Sequence, residues 1–125
     1  MLAQKERRQF KRFRPKDGTM AVSDHALGPV TNISMGGLSF QYMAMASVTP
    51  ILDILGIFLG SDDLLIDKIP TKVITDKMIS QGSVFLKTST RQCSIQFTNL
   101  SNSQRSNLED FISTKTTGLY SPHHP

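Results

Sequence analysis

From Leu38 to Tyr42 the chain alternates strictly: Leu38, Phe40 and Tyr42 are apolar, while Ser39 and Gln41 between them are polar. A period of two belongs to extended chain with one buried face. The same alternation returns at Cys93, Ile95 and Phe97, with Ser94 and Gln96 opposed. Around these two segments lie other short strand-like pieces. Residues 12–23 read as a first strand, interrupted by Pro15 and by the turn pair Asp17-Gly18. Residues 24–29 read as a loop, and Val30-Thr31-Asn32-Ile33 as a short β-branched strand turned by Ser34-Met35-Gly36-Gly37. The small, methionine-rich residues 43–50 read as a long connection. Residues 51–59 are nearly all apolar; Gly56 and the β-branched content favour strand over helix. Gly60-Ser61-Asp62-Asp63 reads as a turn. Residues 64–76 follow as a strand with Pro70 at a bulge or an edge, and residues 83–87 and 91–98 as a last pair.

The pattern changes at Ser101. Ser101 and Gln104 have the spacing of a capping box, and Leu108, Phe111 and Ile112 fall at i, i+3, i+4. An amphipathic helix is expected over residues 102–113, its apolar stripe closing one end of a sheet or barrel. Residues 114–125 lack an apolar period and end Ser121-Pro122-His123-His124-Pro125, so a disordered tail is expected there. Six or so short strands and one helix favour an all-β fold: a small antiparallel β-barrel with one C-terminal α-helix.

A chain of 125 residues suffices for one domain with its own core. Its 38% hydrophobic and 19% charged content fits a soluble globular protein. No apolar run approaches the roughly 18–20 residues that span a bilayer. The first residues turn basic at once, unlike a secretory signal. Cys93 is the only cysteine, so no intrachain disulfide can form. These features lead to a cytoplasmic expectation.

The net charge of +4 is unevenly distributed. Residues 1–16 carry seven Lys or Arg against Glu6 alone, giving +6, and the remainder carries −2. A protein that coats nucleic acid spreads its basicity along a face or groove, so no nucleic-acid polymer is expected as partner. A solvated basic arm, or one touching anionic lipid, is the plain alternative.

Catalytic chemistry finds little support. His25 lies in the expected loop beside Asp24, but no Gly-x-Ser-x-Gly elbow places Ser34 against a base. Cys93 alternates with core positions and reads as a small buried hydrophobe. His123 and His124 have no third ligand at metal-site spacing, and Asp62-Asp63 reads as a turn. Gly36-Gly37 lacks the remainder of a phosphate loop. No catalytic residue, metal site or cofactor is expected, and the chain is not read as an enzyme. The arginines differ. Arg8 and Arg12 are four apart, and a planar guanidinium suits phosphate oxygens or the O6/N7 edge of guanine in bidentate geometry.

Arg8-x-x-x-Arg12 followed by Asn32-x-Ser34-x-x-Gly37 resembles the bipartite signature of PilZ domains, bacterial receptors for cyclic di-GMP. Glu6-Arg7-Arg8, Gly36-Gly37-Leu38 and the ending through Asn99-Leu100-Ser101 and Leu108-x-x-Phe111-Ile112 resemble the family's context, over roughly residues 5–113. The resemblance implies a six-stranded β-barrel with a C-terminal helix, and a dinucleotide held between an N-terminal arm and the barrel. It implies contacts from Arg8 and Arg12 to guanines and phosphates, and hydrogen bonds from Asn32 and Ser34. Gly37 would permit a tight turn, with Gly36 in the same wall and Arg7 in a secondary role. Asn32 stands where Asp is commoner in the family, keeping an acceptor while adding an amide donor.

The expected division is a flexible basic arm over residues 1–14, a barrel with helix over 15–113, and a tail over 114–125. The expected function is that of a single-domain cyclic di-GMP receptor. Its ligand orders the arm and alters a surface read by a downstream protein in second-messenger signalling, with motility, exopolysaccharide or biofilm output, as monomer or homodimer. A barrel that docks a protein partner without nucleotide is the alternative. RNA binding through the arm is a third possibility, with only Phe10 and Phe13 interleaved for stacking.

Overall fold

The computed structural model describes residues 10–24, 26–45, 52–60, 64–82, 85 and 87–120. Its strands are β1 (Phe13–Pro15), β2 (Thr19–Val22), β3 (Leu27–Ile33), β4 (Gly37–Met45), β5 (Ile54–Leu59), β6 (Leu64–Gln81), β7 (Thr88–Phe97) and β8 (Thr116–Leu119). The helix α1 (Asn102–Thr114) precedes β8. Strand order runs β2-β5-β6-β7-β4-β3, and the β2–β3 pairing closes that ring, so six antiparallel strands form a barrel. β1 and β8 lie outside the ring, attached in turn to β3. The expected barrel with one C-terminal helix is therefore present, with two further strands.

The two alternating segments pair with each other. β4 and β7 run in register from Gly37 opposite Gln96 to Met45 opposite Thr88. Leu38, Phe40 and Tyr42 face Ile95, Cys93 and Arg91 on the inner side, and all but Arg91 are buried. Ile33, Leu55, Ile57, Ile69 and Leu108 complete the fully buried centre. Each such side chain contributes about 1.5–3 kcal/mol by leaving water.

Helix α1 starts as its sequence requires. The Ser101 hydroxyl accepts from the Gln104 amide at 3.0 Å, and the Gln104 side-chain oxygen accepts from the Ser101 amide at 3.0 Å. Gln104 Nε2 also donates to the carbonyls of Asp67 and Lys68, at 2.8 and 3.0 Å. Those residues form a bulge in β6: Leu55 pairs with Ile69 and Ile57 with Ile66, so Asp67 and Lys68 oppose Gly56 alone. Lys68 takes a left-handed φ of 54° there. A bulge takes carbonyls out of the ladder, and one glutamine both caps the helix and satisfies two of them. Leu108 and Phe111 then seat the helix on the core.

Several boundaries differ from expectation. Gly28 and Pro29 belong to β3 rather than to a loop. A Cβ on Gly28 would lie 1.5 Å from the Gln41 carbonyl oxygen, so only glycine admits β4 at that distance. Pro29 stands where β3 leaves β2 and takes up β4, a seam that tolerates a missing donor. β4 continues to Met45, and β6 continues past Asp76 to Gln81, because β7 offers both a continuous partner. The last antiparallel pair is thus β6 with β7; of the segment 83–87, expected as a strand, the described residues Phe85 and Lys87 are turn residues. The boundary drawn at residue 14 falls inside β1, and residues 116–119, expected in a disordered tail, form β8. His25, the connection at 46–51, the turn residues 61–63 and the end of the tail at 121–125 lie outside the described residues.

The inner face carries a polar cluster at Tyr42, Asp76 and Arg91. The Tyr42 hydroxyl donates to Asp76 Oδ2 at 2.8 Å, while Arg91 donates from Nε to Asp76 Oδ1 at 2.8 Å and from Nη2 to the Asp76 carbonyl at 3.0 Å. Burial, then the Asp76 hydrogen bond and charge, push the Tyr42 phenol from 10.0 up to about 12. Burial, then the Asp76 charge, push the Cys93 thiol from 9.0 up to about 12. Both groups hold their protons more tightly folded than unfolded. Their contribution to stability is complete below the unfolded values and is lost as pH rises through 9–10 toward 12. The urea midpoint is expected to fall steadily between pH 8.5 and 11, with Cys93 inert to thiol reagents in the folded protein at pH 8. A midpoint flat across that range, or rapid labelling of folded protein, contradicts this.

Candidate functional site

The register of β1 on β3 pairs Phe13 with Ile33. Antiparallel geometry therefore sets Arg12 beside the residue-34 end of the β3–β4 turn. From there the guanidinium reaches back along β3, and Arg12 Nη1 donates to Asn32 Oδ1 at 2.5 Å. The two residues are 20 apart in sequence. A guanidinium only donates, so the contact fixes which end of the carboxamide faces it: the oxygen lies toward Arg12 and the NH2 group away. Asn32 is buried and Arg12 half-buried. Asparagine positions the guanidinium without supplying an anion, as aspartate would.

The adjoining turn is built by Ser34. Its amide donates to the Gly37 carbonyl at 2.8 Å, its hydroxyl accepts from the Gly36 amide at 3.1 Å, and the hydroxyl also donates to the Gly37 carbonyl at 3.3 Å. This is local serine-to-backbone bonding of the kind that stabilises turns. The Phe97 amide ties the turn to β7 through the Gly36 carbonyl at 2.9 Å.

Gly37 is required for a different reason from the one expected. It does not adopt a left-handed φ; the positive-φ glycines among the described residues are Gly18, Gly60 and Gly118. Instead, a Cβ on Gly37 would lie 2.1 Å from the Ile95 carbonyl oxygen. The turn needs glycine for closeness to β7, not for backbone handedness. Gly36 has its own neighbour: a Cβ there would meet the Phe10 ring at 2.7 Å. Phe10 thus lays its ring over the turn and remains 45% exposed.

Arg12, Asn32, Ser34, Gly36 and Gly37 are thereby brought into one corner, at the turn end of the β3–β4 hairpin. Arg7 and Arg8 lie outside the described residues. Lys11, Arg14 and Lys16 flank the corner in sequence, with Asp17 the nearest acid on that side. The arrangement offers a planar fork of donors beside backbone and amide groups, with no carboxylate in the motif, which suits an anionic, hydrogen-bonding ligand. Among the described residues, no group of three His, Cys, Asp or Glu side chains could hold a metal ion. No helix there is long and apolar enough to cross a membrane.

Two contributors were not evident in the sequence. Phe10 carried a signal only as an aromatic amid arginines. The other is the C-terminal strand. β8 pairs Leu119 with Phe13 and Gly118 with Arg14, and the Tyr120 amide donates to the Arg12 carbonyl at 2.9 Å.

The closed barrel, the helix packed on one end and the hairpin corner together define a PilZ-like fold. The chain is similar in structure to the PilZ domain of YcgR from Escherichia coli, solved with c-di-GMP. The TM-score is 0.59, over 86% of this chain and 90% of that one, at 14% sequence identity. No family model and no curated protein matches the chain.

Proposed function

We propose that this protein is a cyclic di-GMP receptor that binds the dinucleotide through Arg8-x-x-x-Arg12 and Asn32-x-Ser34-x-x-Gly37. The observation that carries the reading is the Arg12–Asn32 hydrogen bond, which joins the two halves of the motif at one corner of a PilZ-like barrel. The similar domain of YcgR was solved with the same ligand. Arg12 would meet a guanine edge or phosphate with its fork, and Arg8 would close from the arm side, with Arg7 secondary. Asn32 would present its amide, and Ser34, Gly36 and Gly37 would hold the turn that forms the opposite wall. Ser34 acts through the turn in this scheme, since its hydroxyl is engaged there.

Ordering a chain segment costs roughly 1–2 kcal/mol per residue. Micromolar affinity is about −8 kcal/mol net. Binding at that level requires several charge-assisted hydrogen bonds and stacking of guanine on arginine planes. The bridging of arm to barrel by the ligand is the event a downstream partner would read. No catalytic step belongs to this scheme. Motility, exopolysaccharide and biofilm control are the outputs in view, for a cytoplasmic receptor.

A second reading, a protein-docking barrel without nucleotide, is favoured by one observation. Ile74, Met78 and Ile79 are each at least half exposed along β6, more apolar surface than a strand edge needs. Isothermal titration with cyclic di-GMP, GTP and cyclic di-AMP separates the readings. The receptor is expected to bind the guanine dinucleotide saturably and selectively at micromolar concentration or below, and to lose it on Asn32→Ala. A folded protein that ignores millimolar cyclic di-GMP would leave the docking barrel as the better account. Arm-mediated RNA binding would survive Asn32→Ala.

A further inference from the structure

Arg12 is held at two places by different parts of the chain. Its guanidinium is held by Asn32 on β3, and its carbonyl by the Tyr120 amide at the end of β8. On the barrel side β1 has one register pair, Phe13 with Ile33. On its other side β8 supplies three, Phe13 with Leu119, Arg14 with Gly118 and Pro15 with Thr116. The pairing is extended at both ends, by Tyr120 N–H to the Arg12 carbonyl at 2.9 Å and by Lys16 N–H to the Lys115 carbonyl at 2.9 Å. The Thr117 hydroxyl adds a bond to the Arg14 carbonyl at 3.3 Å. β1, which follows directly on Arg12, therefore pairs over more residues with β8 than with β3.

We infer that β8, through the Tyr120 amide, is a positioning element for Arg12, and that ligand occupancy and β8 pairing are coupled. This rests on the receptor reading for its ligand arm, though not for its ligand-free arm. A backbone bond at Arg12 sets where the side chain starts, and Asn32 sets where it ends. With both in place, the guanidinium is ordered before ligand arrives and less entropy is lost on binding. Linkage makes the effect reciprocal: if β8 pairing favours binding, binding favours β8 pairing by the same factor. β8 is thus a route by which occupancy reaches a partner, although it lies far from the motif in sequence.

The test compares Tyr120→Pro with Tyr120→Ala in the full chain. Both remove the ring, but only proline removes the amide hydrogen, and its demand for an extended preceding residue is already met by Leu119 in β8. Without ligand, amide exchange at Phe13 and Arg14 is expected to be faster in the proline variant than in the alanine variant, with Ile95 in β7 unchanged. With cyclic di-GMP, the proline variant is expected to bind roughly fivefold more weakly than the alanine variant, the loss of about one net backbone hydrogen bond. Melting temperatures of the two should agree, since β8 lies outside the closed ring. In the wild type, saturating cyclic di-GMP is expected to slow exchange of the Tyr120 amide. Equal ligand-free exchange at Phe13 and Arg14 in the two variants would overturn the positioning role. Equal affinities, or Tyr120 exchange indifferent to ligand in a wild type that binds, would overturn the coupling. If the wild type binds no cyclic di-GMP, the receptor reading and the coupling both fail, while ligand-free exchange still decides whether β8 holds Arg12.

Discussion

Arg12→Ala is expected to weaken cyclic di-GMP binding by at least about 100-fold while leaving the barrel folded. A hydrogen bond to a charged group is worth about 1.5–3 kcal/mol, and a guanidinium makes two at once when it meets a guanine edge or a phosphate. Losing both removes roughly 3–6 kcal/mol, and each 1.4 kcal/mol is about tenfold in affinity. Arg12→Lys keeps the charge without the planar fork, so a loss of roughly tenfold is expected there. Because Arg12 immediately precedes β1, a strand outside the closed ring, and is half-buried, its truncation should cost the fold about 1 kcal/mol or less. Titration calorimetry with thermal melting on the same samples checks both halves. An alanine variant within threefold of wild type would show that the ligand, if bound, is not held at this corner.

Gly37→Ala is expected to damage the fold substantially for the addition of a single methyl group. The added methyl would lie 2.1 Å from the Ile95 carbonyl oxygen, a backbone atom of β7 that no rotamer change can move aside. Relief requires the β3–β4 hairpin to separate from β7, where Gly37 pairs with Gln96 and the Phe97 amide bonds the Gly36 carbonyl. Overpacking of this kind costs about 3 kcal/mol, which for a chain of this size lowers the melting temperature by roughly 10 °C. Gly36→Ala is the informative contrast. Its methyl would meet the Phe10 ring, the outer end of a half-exposed side chain that can swing away, so stability should hardly change. A Gly37→Ala protein that melts within 2 °C of wild type would contradict the close approach.

The contrast between those glycines bears on how far the site could be read in advance. The resemblance to the PilZ signature picked out Asn32, Ser34 and Gly37 together, and Arg12 is joined to the first of them by a direct hydrogen bond. The reason for Gly37 was not legible. A tight turn and a close strand crossing both select glycine, and only the position of the Ile95 carbonyl distinguishes them. Likewise Ser34 could be read as a ligand donor, whereas its hydroxyl is engaged within its own turn.

What the sequence by itself determined is what short-range physics encodes. Alternation at two along β4 and β7 assigned the inner faces, since a strand with one buried side can be written in no other way. Ser101 and Gln104 marked the start of α1 because the bonds of a capping box close within four residues. Tertiary structure alone decided the partners. Thr117 reaches Arg14 across 103 residues, and nothing local in Thr116-Thr117-Gly118-Leu119 distinguishes a strand from a tail until an edge is present to receive it. β1 provides that edge, with backbone groups left to pair once β3 has taken its other side. Strand pairing draws its energy from a partner remote in the chain, so Thr116–Leu119 became structure where β1 left backbone donors and acceptors open.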